Sequence, residues 1–276
     1  MKQFGRYPIY VNHPGRWEEV RQRQLDYFKS QRDRRMVTWL TYTAKRLYEI
    51  TQDVTPGPEL LAYEEAVCQQ LRLISTTLIG RCLLESLNHH VKVWIVPLDL
   101  LDRTDCDCGA YTFPGKPNEG GGVRIYYNPT DFNPSARRWM GADDILFHEL
   151  VHAYRNGRVG YDVVNHAKPL NDDDNTEEFL ALHLQNVYLA CRGGARFYRT
   201  YKKRESVSKD VAYQYFVGNA EALMAFRYWV ENEPIATTVS RWMTPADSFN
   251  PWRDQPVLER MYISSESLGI PRLPPL

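Results

Sequence analysis

Residues 143–155 read Asp-Asp-Ile-Leu-Phe-His-Glu-Leu-Val-His-Ala-Tyr-Arg, and this run restricts the fold more than any other. Its apolar residues fall on nearly every side of a helical wheel, so the run predicts a helix buried in a core rather than one lying on a surface. Asp143 and Asp144 open it, which suits a helix N-terminus and the positive end of the dipole. Gly157 stands where a C-cap glycine is expected. Into this apolar helix the chain sets His148, Glu149 and His152. A lone buried glutamate costs several kcal/mol unless something compensates it, so two core histidines satisfied by carbonyls beside an unshared carboxylate are a poor account.

A shared metal ion is a better one. Residues four apart lie one above the other on a helix, so His148 and His152 can aim two imidazoles at one point. Zinc takes neutral imidazole nitrogen at roughly 2.0–2.1 Å and prefers a tetrahedral shell. Glu149, rotated about 100° from His148, can hold a zinc-bound water without ligating the metal. It can then act as general base and afterwards as general acid. With 7 histidines in 276 residues, the pattern His-Glu-x-x-His is expected by chance roughly 0.01 times. A third ligand is sought downstream, where Asn175-Thr176-Glu177-Glu178-Phe179-Leu180-Ala181 reads as the start of a second helix capped by Asn175 or Thr176. Either Glu177 or Glu178 can return to the metal, while the other sits in the first turn for the dipole alone.

At these residues the chain resembles the gluzincin zinc metallopeptidases, most of all the effector or toxin peptidases of bacterial secretion systems (NleD-like proteins). The likeness spans residues 125–194. It implies a zincin-like α+β fold, predominantly helical, with a small sheet beside the active-site helix. It also implies a Zn²⁺ ion held by His148, His152 and Glu178, the glutamate directly before the aromatic residue, with Glu177 as the other candidate. The implied activity is peptide-bond hydrolysis with Glu149 as catalytic base. The partners implied are a protein or peptide substrate from a host or competitor, and a secretion chaperone or immunity protein. The chain departs from the pattern at Leu182, where many gluzincins carry an acid that orients a zinc histidine. That task then falls to a backbone carbonyl, Asp143, Asp144 or Asn186. Arg158 occupies the place of a metzincin's third histidine.

Peptidases of this kind usually need an oxyanion donor besides the metal. Tyr161 and His166, in the segment returning from one motif to the other, are the candidates, with Tyr154 a further one. Two rival readings differ in class: a zinc-binding interaction module without turnover, and a zinc hydrolase of a non-peptide amide or ester.

Composition bounds the rest. The 34 basic and 34 acidic side chains cancel, which gives no support for nucleic-acid binding. No run of 18 apolar residues predicts a membrane span. An N-terminus without an apolar core predicts no cleavable signal, hence a soluble protein that is cytoplasmic or exported by a signal-peptide-independent system. Five scattered cysteines favour free thiols, and Cys106 with Cys108 are too close together to chelate zinc by themselves. Asn171-Asp172-Asp173-Asp174 lacks the interleaved spacing of a calcium loop.

A single domain over 1–276 is expected, with a helical scaffold (1–89), a catalytic core (90–232) and an irregular proline-containing tail (233–276). Within it, helices are predicted over 16–50 (basic, solvent-facing), 59–87, 176–191 and 211–231. Strands are predicted over 90–97 and 123–129, with a loop at 98–122 ending in three glycines that serve as hinge or turn. The strand before the motif helix is the candidate edge on which an extended substrate would add.

Overall fold

The computed structural model describes residues 2–11, 58–89, 91–98, 110–113, 122–129, 141–160, 163–164, 167–170, 175–199, 206–242 and 248–267. The expected helix over 16–50, Cys106 and Cys108, Gly120 and Gly121, Tyr161, His166 and the aspartates at 172–174 lie outside the described residues. The chain is mixed α+β and divides into two compact units, Met1–Ser75 with Leu84–Val164, and Thr76–Leu83 with Asn165–Leu276.

The first unit holds strands β1 (Lys2–Gln3), β2 (Ile9–Val11), β3 (Lys92–Pro97), β4 (Ala110–Phe113) and β5 (Gly122–Tyr127) in one sheet of order β1-β2-β3-β5-β4. β2, β3 and β5 run parallel, while β1 and β4 pair antiparallel on the flanks. Alternation makes the faces: Ile9, Val11, Val93, Ile95, Val123 and Ile125 are all essentially inaccessible, as expected where successive side chains of a strand point to opposite sides. Among the described residues β5 is interior and β1 and β4 are the edges, which corrects the expectation that the strand at 123–129 forms an edge. β4 lies inside the stretch read as a loop, because four residues, Ala-Tyr-Thr-Phe, between Gly- and Pro-rich flanks give too short a pattern to register.

Helix α1 (Pro58–Thr76) belongs to this unit up to Ser75, and the Tyr63 hydroxyl donates to the Tyr127 carbonyl at 3.0 Å. The run read as one helix breaks at Thr77 before α2 (Leu78–Leu87), because the Thr77 hydroxyl accepts the Gly80 N–H at 3.0 Å and starts a new first turn. The motif helix is α3 (Ala142–Val159), set against β5 and β4. Leu146, Phe147, Leu150 and Val151 are fully buried, each contributing about 1.5–3 kcal/mol from area removed from water. The Tyr127 phenol, at the end of β5, donates to the Ala142 carbonyl at 2.8 Å, and burial raises its pKa and keeps it neutral.

Gly157 does not cap α3. The helix runs through it and closes at Gly160, whose φ of 86° favours glycine. A Cβ at 157 would stand 2.4 Å from the Val91 Cβ, so the glycine serves a close approach to the chain entering β3.

The second unit is built on α4 (Thr176–Cys191), with a two-stranded sheet of β6 (Arg196–Tyr198) and β7 (Ser206–Ser208) between the helices expected over 176–191 and 211–231. The helix expected over 211–231 is two, α5 (Lys209–Val217) and α6 (Ala220–Asn232). Gly218 ends the first, and the Asn219 side chain accepts the Ala222 N–H to cap the second. The tail is a further correction: it carries α7 (Pro234–Ser240) and α8 (Pro251–Ser267). Pro234 and Pro251 occupy first helical positions, where a missing N–H leaves nothing unsatisfied, so these prolines mark helix starts. Phe179, Phe216, Phe226 and Trp252 fill the core of this unit.

Among the described residues no helix is long and apolar enough to cross a membrane.

Candidate metal centre

The start of α3 is set by backbone chemistry. Gly141 is the N-cap, and the Asp144 carboxylate reaches back to accept its N–H at 2.8 Å. Asp143 and Asp144 are thus first-turn acids, both buried, where free N–H groups and the dipole favour negative charge. From that start, His148 and His152 fall on one side of the helix. Their Nε2 atoms converge to 3.0 Å, with the rings edge to face at 4.7 Å. A tetrahedral shell with bonds of roughly 2.0–2.1 Å places two ligand nitrogens about 3.3 Å apart, so the observed pair is close to a chelating arrangement.

On α4 the Asn175 side chain accepts the N–H groups of Glu177 and Glu178 at 2.9 and 3.0 Å. This cap fixes the backbone that carries both glutamates. Glu177 is buried, while Glu178 is half-buried. One ligand atom each from His148, His152 and Glu178 lies within 4.8 Å of the others. Glu177 is not in that group. Two imidazoles and one carboxylate form a nitrogen–oxygen donor set that suits a divalent cation and leaves a further coordination position open.

Glu149 sits on α3 between the two histidines in sequence. Its Oε2 accepts a hydrogen bond from the Thr112 hydroxyl of β4 at 2.5 Å, and its main-chain carbonyl lies 3.1 Å from the same hydroxyl. Thr112 was invisible to sequence reasoning, since nothing in Ala-Tyr-Thr-Phe advertises a tertiary partner 37 residues on. The only available signal was a short β-prone run before the motif helix.

Several other candidates are placed. Asn186 does not orient His148 or His152, which corrects that expectation. Its amide donates to the Tyr198 carbonyl at 2.6 Å and accepts the Tyr198 N–H at 2.7 Å, and its Nδ2 lies 3.2 Å from His183 Nδ1. His183, fully buried, is ringed by Phe179, Phe216 and Phe226. Burial lowers its pKa to about 3. Asp144 is engaged at the cap of α3. Tyr154 is buried at 1% exposure within α3. Tyr161 and His166 remain outside the described residues.

Compared with models of known families, with curated proteins and with solved structures, the chain matches none. The geometry therefore carries the functional reading by itself.

Proposed function

We propose that this protein is a zinc-dependent metallopeptidase of the gluzincin type with a zincin-like core. The single observation behind the reading is the convergence of His148, His152 and Glu178 within 4.8 Å, with Glu149 on the same helix as the two histidines. His148 and His152 would hold Zn²⁺ through Nε2 and Glu178 through a carboxylate oxygen. A zinc ion so held supplies Lewis acidity, polarising a carbonyl and making water more acidic.

The chain's own residues do the rest. Glu149 takes a proton from the attacking water and returns it to the leaving amine, which splits one acyl transfer into manageable proton movements. Its carboxylate is anchored at Oε2 by Thr112, which leaves the other oxygen to face the reactants. β4, the edge strand beside the motif helix among the described residues, has a backbone edge on which an extended peptide can pair. In this reading substrate addition belongs to 110–113 rather than to 123–129. Tyr161 and His166 stay as oxyanion-donor candidates, and export as an effector or toxin acting on a host or competitor protein extends the same reading.

A Glu149→Gln protein tests it. The variant is expected to bind Zn²⁺ with wild-type stoichiometry and to lose peptide hydrolysis by about 10²–10⁴-fold, the usual contribution of a general base. Mapping new protein N-termini generated by wild type and not by the variant identifies the substrate. Equal inertness of both across a broad peptide library sinks the peptidase reading in favour of a binding module. Turnover confined to small amides and esters favours the non-peptide hydrolase.

A further inference from the structure

Thr112 stands at the end of a cross-strand row. Val11 of β2 pairs with Ile95 of β3, Ile95 with Ile125 of β5, and Ile125 with Thr112 of β4. The first three are completely buried and β-branched. A valine would continue the row with the same shape. The chain places a hydroxyl there instead, and that hydroxyl meets Glu149. Among the described residues Thr112 is the one hydrogen-bond partner of the Glu149 carboxylate.

The geometry offers the hydroxyl two acceptors on a single residue, Oε2 at 2.5 Å and the main-chain carbonyl at 3.1 Å. A threonine hydroxyl has one proton and two lone pairs, and it rotates to suit. Donated to Oε2, the proton makes a short charge-assisted bond to the carboxylate. The second contact ties the same hydroxyl to the main chain of the residue whose carboxylate it holds. The helix carbonyl has a second lone pair for this contact besides its intrahelical bond. One side chain can therefore fix both the Glu149 carboxylate and the helix turn that carries it.

Resting on the peptidase reading above, we propose that Thr112 is a positioning residue for Glu149, keeping the base aimed through one hydroxyl that meets both its carboxylate and its main-chain carbonyl. Its role is played through Glu149 and involves no contact with substrate. The feature also ties the base to the edge strand itself, so a displacement of β4 would move the carboxylate.

Two variants and two measurements test this. Thr112→Val keeps shape and removes the hydroxyl, whereas Thr112→Ser keeps the hydroxyl and removes the methyl. Hydrolysis of a library of internally quenched peptides is expected to fall roughly 10–100-fold in kcat for Thr112→Val, the usual cost of losing an orienting partner. KM, and the affinity for Zn²⁺ alone measured by calorimetry, should stay within about twofold of wild type on the same grounds, and Thr112→Ser should recover most of the rate. In metal-free protein, denaturant unfolding of Thr112→Val, Glu149→Ala and the double variant should give non-additive destabilisation. Wild-type kcat in Thr112→Val, a Thr112→Ser as slow as Thr112→Val, or strict additivity would each overturn the proposal while an active wild type left the peptidase reading standing. A wild type inert on every peptide overturns that reading, and the positioning role with it.

Discussion

The histidines of α3 and the histidine of α4 answer the same problem in opposite ways. His148 and His152 bring their Nε2 atoms within 3.0 Å of one another, and one ligand atom from each lies within 4.8 Å of one from Glu178. His183 faces three phenylalanine rings and hands its Nδ1 to the Asn186 amide. Burial is deeper for His183, at 0% exposure against 7% for His148. Depth of burial is therefore no guide to chemistry here. Convergence of unlike donors makes a site, while an apolar cage makes a packing residue that stays neutral.

Four experiments press on that contrast. The largest effect is expected at the convergent pair: His152→Ala should weaken zinc binding by more than about 100-fold, beyond what loss of an outer partner costs. His183→Leu should leave zinc stoichiometry unchanged by calorimetry, and a loss of binding there would erase the distinction.

The second uses acid. Folded His183 stays neutral down to about pH 3, whereas the unfolded chain takes up a proton near 6.5. The unfolded state then binds more protons in that window, so stability falls as pH drops from 6.5 toward 3, by up to about 1.4 kcal/mol per pH unit. Denaturant unfolding across this range should show the slope in wild type and a shallower one in His183→Leu.

Third, Gly157→Ala sets helix propensity against packing. Propensity favours alanine by about 1 kcal/mol, but the new Cβ would meet Val91 at 2.4 Å. A net loss of roughly 1–3 kcal/mol is expected from overpacking, and a gain in melting temperature would show that α3 has room to shift. The smallest effect belongs to the cap beneath Glu178: Asn175→Ala should cost about 1 kcal/mol of stability, read as a lower denaturation midpoint.

Much of the candidate site was legible because its signals are local. The spacing of His148 and His152 is a one-turn relation, and the cap at Asn175 lies three residues from Glu178. β3 and β5 announced themselves through β-branched alternation. What sequence did not reveal is non-local. Gly157 reads as a terminator until Val91 is seen against it. Thr112 lies in a four-residue strand too short for a period, and Asn186 looks polar and available until Tyr198 takes its amide. Pro234 and Pro251 misled for another reason: composition counts them, but their position at helix starts decides their effect.

The phenol of Tyr127 reaches from the sheet to the motif helix. It links the end of one strand to the opening carbonyl of the helix that carries both imidazoles, acting as a peg against axial slip. Removing its oxygen in Tyr127→Phe would let that rod creep along its own axis and carry His148 and His152 together. A fluorinated tyrosine at this position would then serve as a spectroscopic gauge of the rod's travel.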